Sequence, residues 1–87
     1  MSMKIEIGKK YLMRNYPAYY DYVVINRIEC NYFNEIECWG HIIVNGKPDI
    51  DLLSNEVEEY RWSENGSWDL CDKAGLGQDI NDLIIEL

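Results

Sequence analysis

Apolar and polar residues alternate along much of this 87-residue chain in short bursts, with the period of strands rather than helices. Lys4-Ile-Glu-Ile7 alternates and predicts a short strand ending at Gly8, and residues 9–13 predict a second extended piece. Pro17 disfavours helix at Tyr16 and cannot donate to a ladder, so residues 14–18 read as loop. Residues 19–28 carry the strongest strand pattern, since Tyr20, Tyr22, Val23, Val24 and Ile25 are all aromatic or β-branched. Residues 31–34, with Asn at both ends, read as a turn, and residues 35–44 as the next strand. Asn45-Gly46 signals a tight type I′ hairpin loop, after which Pro48 confines the following strand to a short or edge position.

Residues 49–59 admit two readings. Ile50, Leu53, Val57 and Tyr60 fall at helical intervals, with Ser54 placed to cap. The alternative is a short strand through Leu53, a turn at Ser54-Asn55 and a strand from Val57. The second is preferred, because the hairpin that follows needs an extended partner.

That hairpin, around Asn65-Gly66, carries Trp62 and Trp68 on its two arms. Its register matters, because a one-residue slip moves every side chain to the other face. A two-residue loop would send the tryptophans to opposite faces. A three-residue loop, Glu64-Asn65-Gly66 with glycine in the left-handed conformation, sets Trp62 against Trp68, Tyr60 against Leu70 and Arg61 against Asp69. Aromatic, apolar and charge pairings then agree, which predicts the three-residue loop. Residues 72–79 read as loop, and residues 80–87 as a last strand or a single helical turn. The whole pattern predicts one mainly β domain: a small antiparallel barrel or strongly bent sheet of about five to six strands, with at most one short helix.

Composition supports a folded core, at 47% hydrophobic and 13% aromatic. Cys30, Cys38 and Cys71 are odd in number and lack Cys-x-x-Cys spacing, which points to reduced thiols and a cytoplasmic protein. No apolar run is long enough to span a bilayer, and no signal-peptide pattern opens the chain. Charge changes the picture most. Net charge is −8, and residues 1–44 are balanced at five acids and five bases. Residues 45–87 hold eleven acids against Lys47, Arg61 and Lys73, so the entire net charge lies in the second half. This disfavours direct contact with nucleic acid or an anionic membrane, and favours a partner with a basic surface.

Gly8-Lys9-Lys10-Tyr11, the Trp62-Ser-Glu-Asn-Gly66 hairpin and Asp82-Leu83-Ile84 form a layout that resembles small accessory proteins of bacterial viruses with SH3-like β folds. The chain departs from that layout by a long insertion between the opening motif and the tryptophan hairpin. The resemblance implies a phage or prophage protein made in the bacterial host cytoplasm, of a kind that includes inhibitors of host defence systems acting by binding.

Candidate chemistry is thin. Cys38 and His41 are three apart and on opposite faces of a strand, so with Cys30 and Cys71 they do not make a zinc-site pattern. A Cys–His nucleophile or an Asp49/Asp51 carboxylate pair would need a water-excluding cleft, which a domain of this size rarely builds. No glycine-rich phosphate loop is present; neither cofactor nor enzymatic activity is predicted.

Binding is the expected role. Asp49, Asp51, Glu56, Glu58, Glu59 and Glu64, with Arg61 beside them, form the candidate contact for a basic groove. Extended residues two apart are about 7 Å apart on one face, near the spacing of successive phosphates. Tyr16, Tyr19, Tyr20 and Tyr22 are candidate aromatic anchors, or else core. The expected function is occlusion of a basic groove on a host protein of anti-phage defence or nucleic-acid handling. Two alternatives are sequestration of a nucleotide or signalling metabolite, using Lys9, Lys10, Arg14 or Arg27, and an oligomerisation module pairing strand edges.

Overall fold

Among the residues described by the computed structural model (4–14, 19–69 and 82–87), six antiparallel strands form one bent sheet, with no helix. They are β1 (Lys10–Met13), β2 (Tyr22–Cys30), β3 (Ile36–Val44), β4 (Lys47–Pro48), β5 (Tyr60–Ser63) and β6 (Leu83–Glu86). The order is β4-β3-β2-β1-β6, and β5 also pairs with β3. Tyr11, Met13, Val23, Ile25, Cys38 and Trp62 are fully buried at its centre.

Two predicted strands are displaced. Residues 4–7 are not in the ladder, because β2 and β6 occupy both edges of β1. Ile5 still enters the core, while Glu6 N donates to the Tyr11 hydroxyl (2.8 Å) and Gly8 N to Ile25 O (2.9 Å). The strand expected at 19–28 runs instead from Tyr22 to Cys30. Tyr20 turns inward ahead of it, and its hydroxyl accepts from Met13 N at 2.7 Å. Asn26 is one extra residue on β2 against β3, between the pairs Ile25–Gly40 and Arg27–Trp39. A side chain at position 40 would collide with Val24 O and Ile25, so this close crossing requires glycine.

The tryptophan hairpin has the three-residue loop. Trp62 pairs with Trp68, Ser63 N donates to Ser67 O (2.8 Å) and Asp69 N to Arg61 O (2.9 Å). Gly66 has φ 91°, the left-handed conformation that closes such a loop. The Trp62 and Trp68 rings meet edge to face at 5.5 Å, with Tyr60 5.6 Å from Trp68. The expected Tyr60–Leu70 pair, like the loop at 72–79, lies outside the described residues.

The last segment is a strand, β6, and its start meets this hairpin: Leu83 N donates to Gly66 O and Asp82 Oδ1 accepts from Trp68 N, both at 2.8 Å. No ladder joins β5 to β6 among the described residues, so the sheet is bent rather than closed.

Beta4 and β5 lie along the same edge of β3. Val44 faces Lys47 and Ile43 faces Pro48; further along, Gly40 faces Tyr60 and Glu37 faces Ser63. Asn45 and Gly46 both have positive φ (52° and 80°), as a type I′ loop needs. Between the two stretches the chain leaves the edge at Asp49, whose N donates to Ile42 O at 2.8 Å. It returns at Tyr60, and residues 49–58 form a finger standing off β3 beside His41. The finger is a narrow hairpin, not a helix. Ile50 pairs with Val57, flanked by Asp51 N to Glu56 O (2.8 Å) and Glu58 N to Asp49 O (2.9 Å). The expected strands shrink to this one bridge, and the turn begins earlier, at Leu52.

Candidate functional site

The finger gathers most of the predicted acidic residues. Opposed residues of an antiparallel pair share a face, and neighbours in sequence alternate. The Ile50–Val57 pair therefore sets Asp49 against Glu58 and Asp51 against Glu56 on one face, with Ile50 and Val57 on the other. Like charges directly opposed on a sheet are unfavourable. No Lys or Arg occurs between Lys47 and Arg61 to offset them.

Their commitments differ. Asp49 accepts from the Tyr60 hydroxyl (3.1 Å) and Ile50 N (3.1 Å), and Asp51 Oδ1 caps the turn by accepting from Leu53 N at 2.8 Å. Burial, reinforced by Asp49, pushes the Tyr60 hydroxyl well above the usual tyrosine range. Glu56, Glu58 and Glu64 make no side-chain hydrogen bond or ion pair among the described residues, and Glu64 stands apart in the tryptophan turn. His41 fastens the finger's base: a carbonyl only accepts, so His41 Nδ1 donates to Glu58 O (2.9 Å) and Nε2 accepts from Asn26 Nδ2 (3.2 Å).

Glu59 and Arg61 belong to a different network, on the outer face of the sheet. Arg27, Trp39, Arg61 and Asp69 lie in one cross-strand row. The Arg27 guanidinium stacks 4.6 Å from the Trp39 ring centroid, pairs with Glu29 and donates to Glu59 Oε1 at 2.7 Å. Arg61 joins Asp69 to Glu37 Oε2 (2.9 Å). Hydrogen bonding from Arg27 holds Glu59 below the usual carboxylate range. Asn31 first, then Trp39 and Arg61, do the same for Glu37, against the opposing effect of its burial. Trp39, Glu59, Tyr60, Arg61, Trp68 and Asp69 line an open recess of about 220 Å³. That is small beside the 300–1,000 Å³ or so of typical ligand pockets.

The aromatic candidates are divided by burial. Tyr20 is 6% exposed and bonded to Met13, so it is core. Tyr22 is half-buried under the Lys10 ammonium, Tyr19 is exposed, and Tyr16 lies outside the described residues. The most exposed large apolar side chains are elsewhere. Leu52 (90%) and Leu53 (98%) form the finger's tip, and Tyr32 (95%) with Phe33 forms the tip of the β2–β3 hairpin. The alternation that predicts a strand through Leu53 conceals them; the signal that marks them is their position between two acids, Asp51 before and Glu56 after.

Cys38 is buried in the core, where desolvation pushes its thiol up to about 11. Cys30 is exposed, within reach of Asn34 Oδ1. Among the described residues no cluster of three or more His, Cys, Asp or Glu side chains is arranged to hold a metal ion. No helix among them is long and apolar enough to cross a membrane.

Comparison of the chain with protein-family models, curated proteins and solved structures finds no match.

Proposed function

We propose that this chain is a non-enzymatic binding protein that occludes a basic groove on a partner protein, with the acidic face of the finger as the contact. The observation that carries this reading is the convergence of Asp49, Asp51, Glu56 and Glu58 on one face of a projecting hairpin with no base between them. That arrangement is unfavourable in the free protein and is relieved by a cationic partner. Glu59 and Arg61 are committed to Arg27, Glu37 and Asp69, so their part is to hold the base of the finger. The resemblance to phage accessory proteins supports a host protein of nucleic-acid handling or anti-phage defence as the partner, met in the bacterial cytoplasm.

The ligand-sequestering alternative has less to draw on. Lys9 bridges Glu6 and Glu86, Lys10 lies over Tyr22, Arg14 reaches Asp82 and Arg27 is held by Glu59. The test of the preferred reading is capture from bacterial lysate at low and high salt, with wild type and Glu56→Lys/Glu58→Lys. Expected is a basic protein released by salt, displaced by DNA and lost in the variant. Capture unchanged by salt and by charge reversal overturns the reading.

A further inference from the structure

The finger has a second face that the charge reading leaves unused. Ile50, Val57, Leu52 and Leu53 are all exposed, and none belongs to the core cluster. Single exposed apolar residues are ordinary on protein surfaces. Here four aliphatic side chains occupy one ten-residue hairpin, two of them adjacent and almost wholly in solvent at its apex.

The apex is also held in shape. Leu53 N donates to Asp51 Oδ1, Asn55 N to Asp51 O (both 2.8 Å) and Glu56 N to Ser54 Oγ (3.3 Å). Asn55 takes the left-handed conformation, φ 59°, that brings the chain back. A loop ordered before contact loses little further entropy on binding.

We infer that the finger seats Leu52 and Leu53 in an apolar pocket of the partner protein, whose rim presents Lys or Arg side chains to Asp51, Glu56 and Glu58. This rests on the proposed occlusion of a basic groove and names what the groove must contain. Charge complementarity selects the partner: an apolar pocket with an acidic or uncharged rim would leave the finger's carboxylates opposed or desolvated without compensation. The acids beside the Tyr32–Phe33 tip are engaged within the protein, Glu35 and Glu37 accepting from Asn31 Nδ2 (3.3 and 3.0 Å) and Glu29 pairing with Arg27, so this tip serves as the internal control.

The test uses the full chain carrying a photo-crosslinking benzoylphenylalanine at position 52, mixed with bacterial lysate, with the linked partner residues mapped by mass spectrometry. Expected are cross-links to apolar residues in a pocket bordered by Lys or Arg. Leu52→Ser/Leu53→Ser should weaken capture of that same partner by about ten- to a hundredfold for each leucine, while Tyr32→Ser/Phe33→Ser leaves it unchanged. Unaltered circular dichroism and tryptophan emission establish that each variant is folded. Cross-links to a polar or acidic surface, or none, overturn the inference. If the leucine variant keeps the partner while Glu56→Lys/Glu58→Lys loses it, the leucine pocket falls and the charge reading stands. If the reverse holds, the basic rim falls. If neither variant matters, both fall.

Discussion

Ile50 pairs with Val57 across the finger, and neither side chain is buried in the core that the rest of the sheet encloses. Stability is therefore carried by apolar residues other than those the proposed recognition would use. Leu52→Ser/Leu53→Ser removes little buried surface, so unfolding free energy in urea is expected to stay within about 0.5 kcal/mol of wild type. Trp62→Ala, at a position with no exposed surface, is expected to cost about 3–5 kcal/mol. A large loss from the leucine pair would mean that the finger's tip is covered in solution.

Glycine 66 closes the tryptophan hairpin and also touches β6. A Cβ there would lie 2.8 Å from Leu83 O, at φ 91°. Gly46 has a similar φ of 80° but open space around it. Gly46→Ala is thus expected to cost about 1 kcal/mol, from backbone conformation alone. Gly66→Ala should cost more, about 2–3 kcal/mol, because the Leu83 hydrogen bond must also shift. At about 4–8 °C per kcal/mol for a domain of this size, thermal melts separate the two. Equal shifts would show that the hairpin and β6 are not coupled.

Much of the sheet was legible because short-range chemistry and long-range packing agree there. Asn45-Gly46 allows one tight hairpin loop, and only one register places Trp62, Trp68 and Tyr60 on a common face. Reading failed where tertiary competition decides. Lys4–Ile7 alternates like a strand, but both edges of β1 are taken. Tyr20 looks like a strand residue, but its hydroxyl bonds to Met13 and draws it into the core. For the candidate site, the two-residue spacing of Asp49/Asp51 and Glu56/Glu58 anticipated that each pair shares a face. The hairpin register did set Arg61 against Asp69, but nothing in the sequence separated Glu59 from the unpaired acids, because the Arg27 that holds it arrives from β2. Nor does periodicity reveal that Leu52 and Leu53 lie beyond the reach of any core.

The two described thiols should differ sharply in reactivity. Cys30 is exposed, whereas Cys38 is buried with its thiol pushed up to about 11. At pH 8 only about one in a thousand thiols with that value is ionised. In a Cys71→Ser background, iodoacetamide should label Cys30 at least about a hundredfold faster than Cys38. Adding Cys30→Ser should abolish the fast phase. A rapid Cys38 reaction would show that the Trp62–Val23 core opens readily.

Glu37 should make the fold sensitive to acid. It is buried, accepts hydrogen bonds from Asn31, Trp39 and Arg61, and is held below its ordinary value of 4.5. A carboxylate whose folded-state value is depressed contributes stability that is fully present above the unfolded value and is lost as pH falls through the folded one. Stability linked to Glu37 therefore persists at neutral pH and declines below about 4.5. Glu37→Gln removes this linkage while keeping the side chain's size. Its urea midpoint should be lower than wild type near neutrality, and the two curves should converge as pH falls below the ordinary value and through the depressed one. Glu59→Gln should show the same convergence with smaller amplitude, because the Glu59–Arg27 pair is the more exposed and so more screened. Parallel wild-type and Glu37→Gln curves across that range would mean that the hydrogen bonds from Trp39 and Arg61 to Glu37 do not contribute through the charge of its carboxylate.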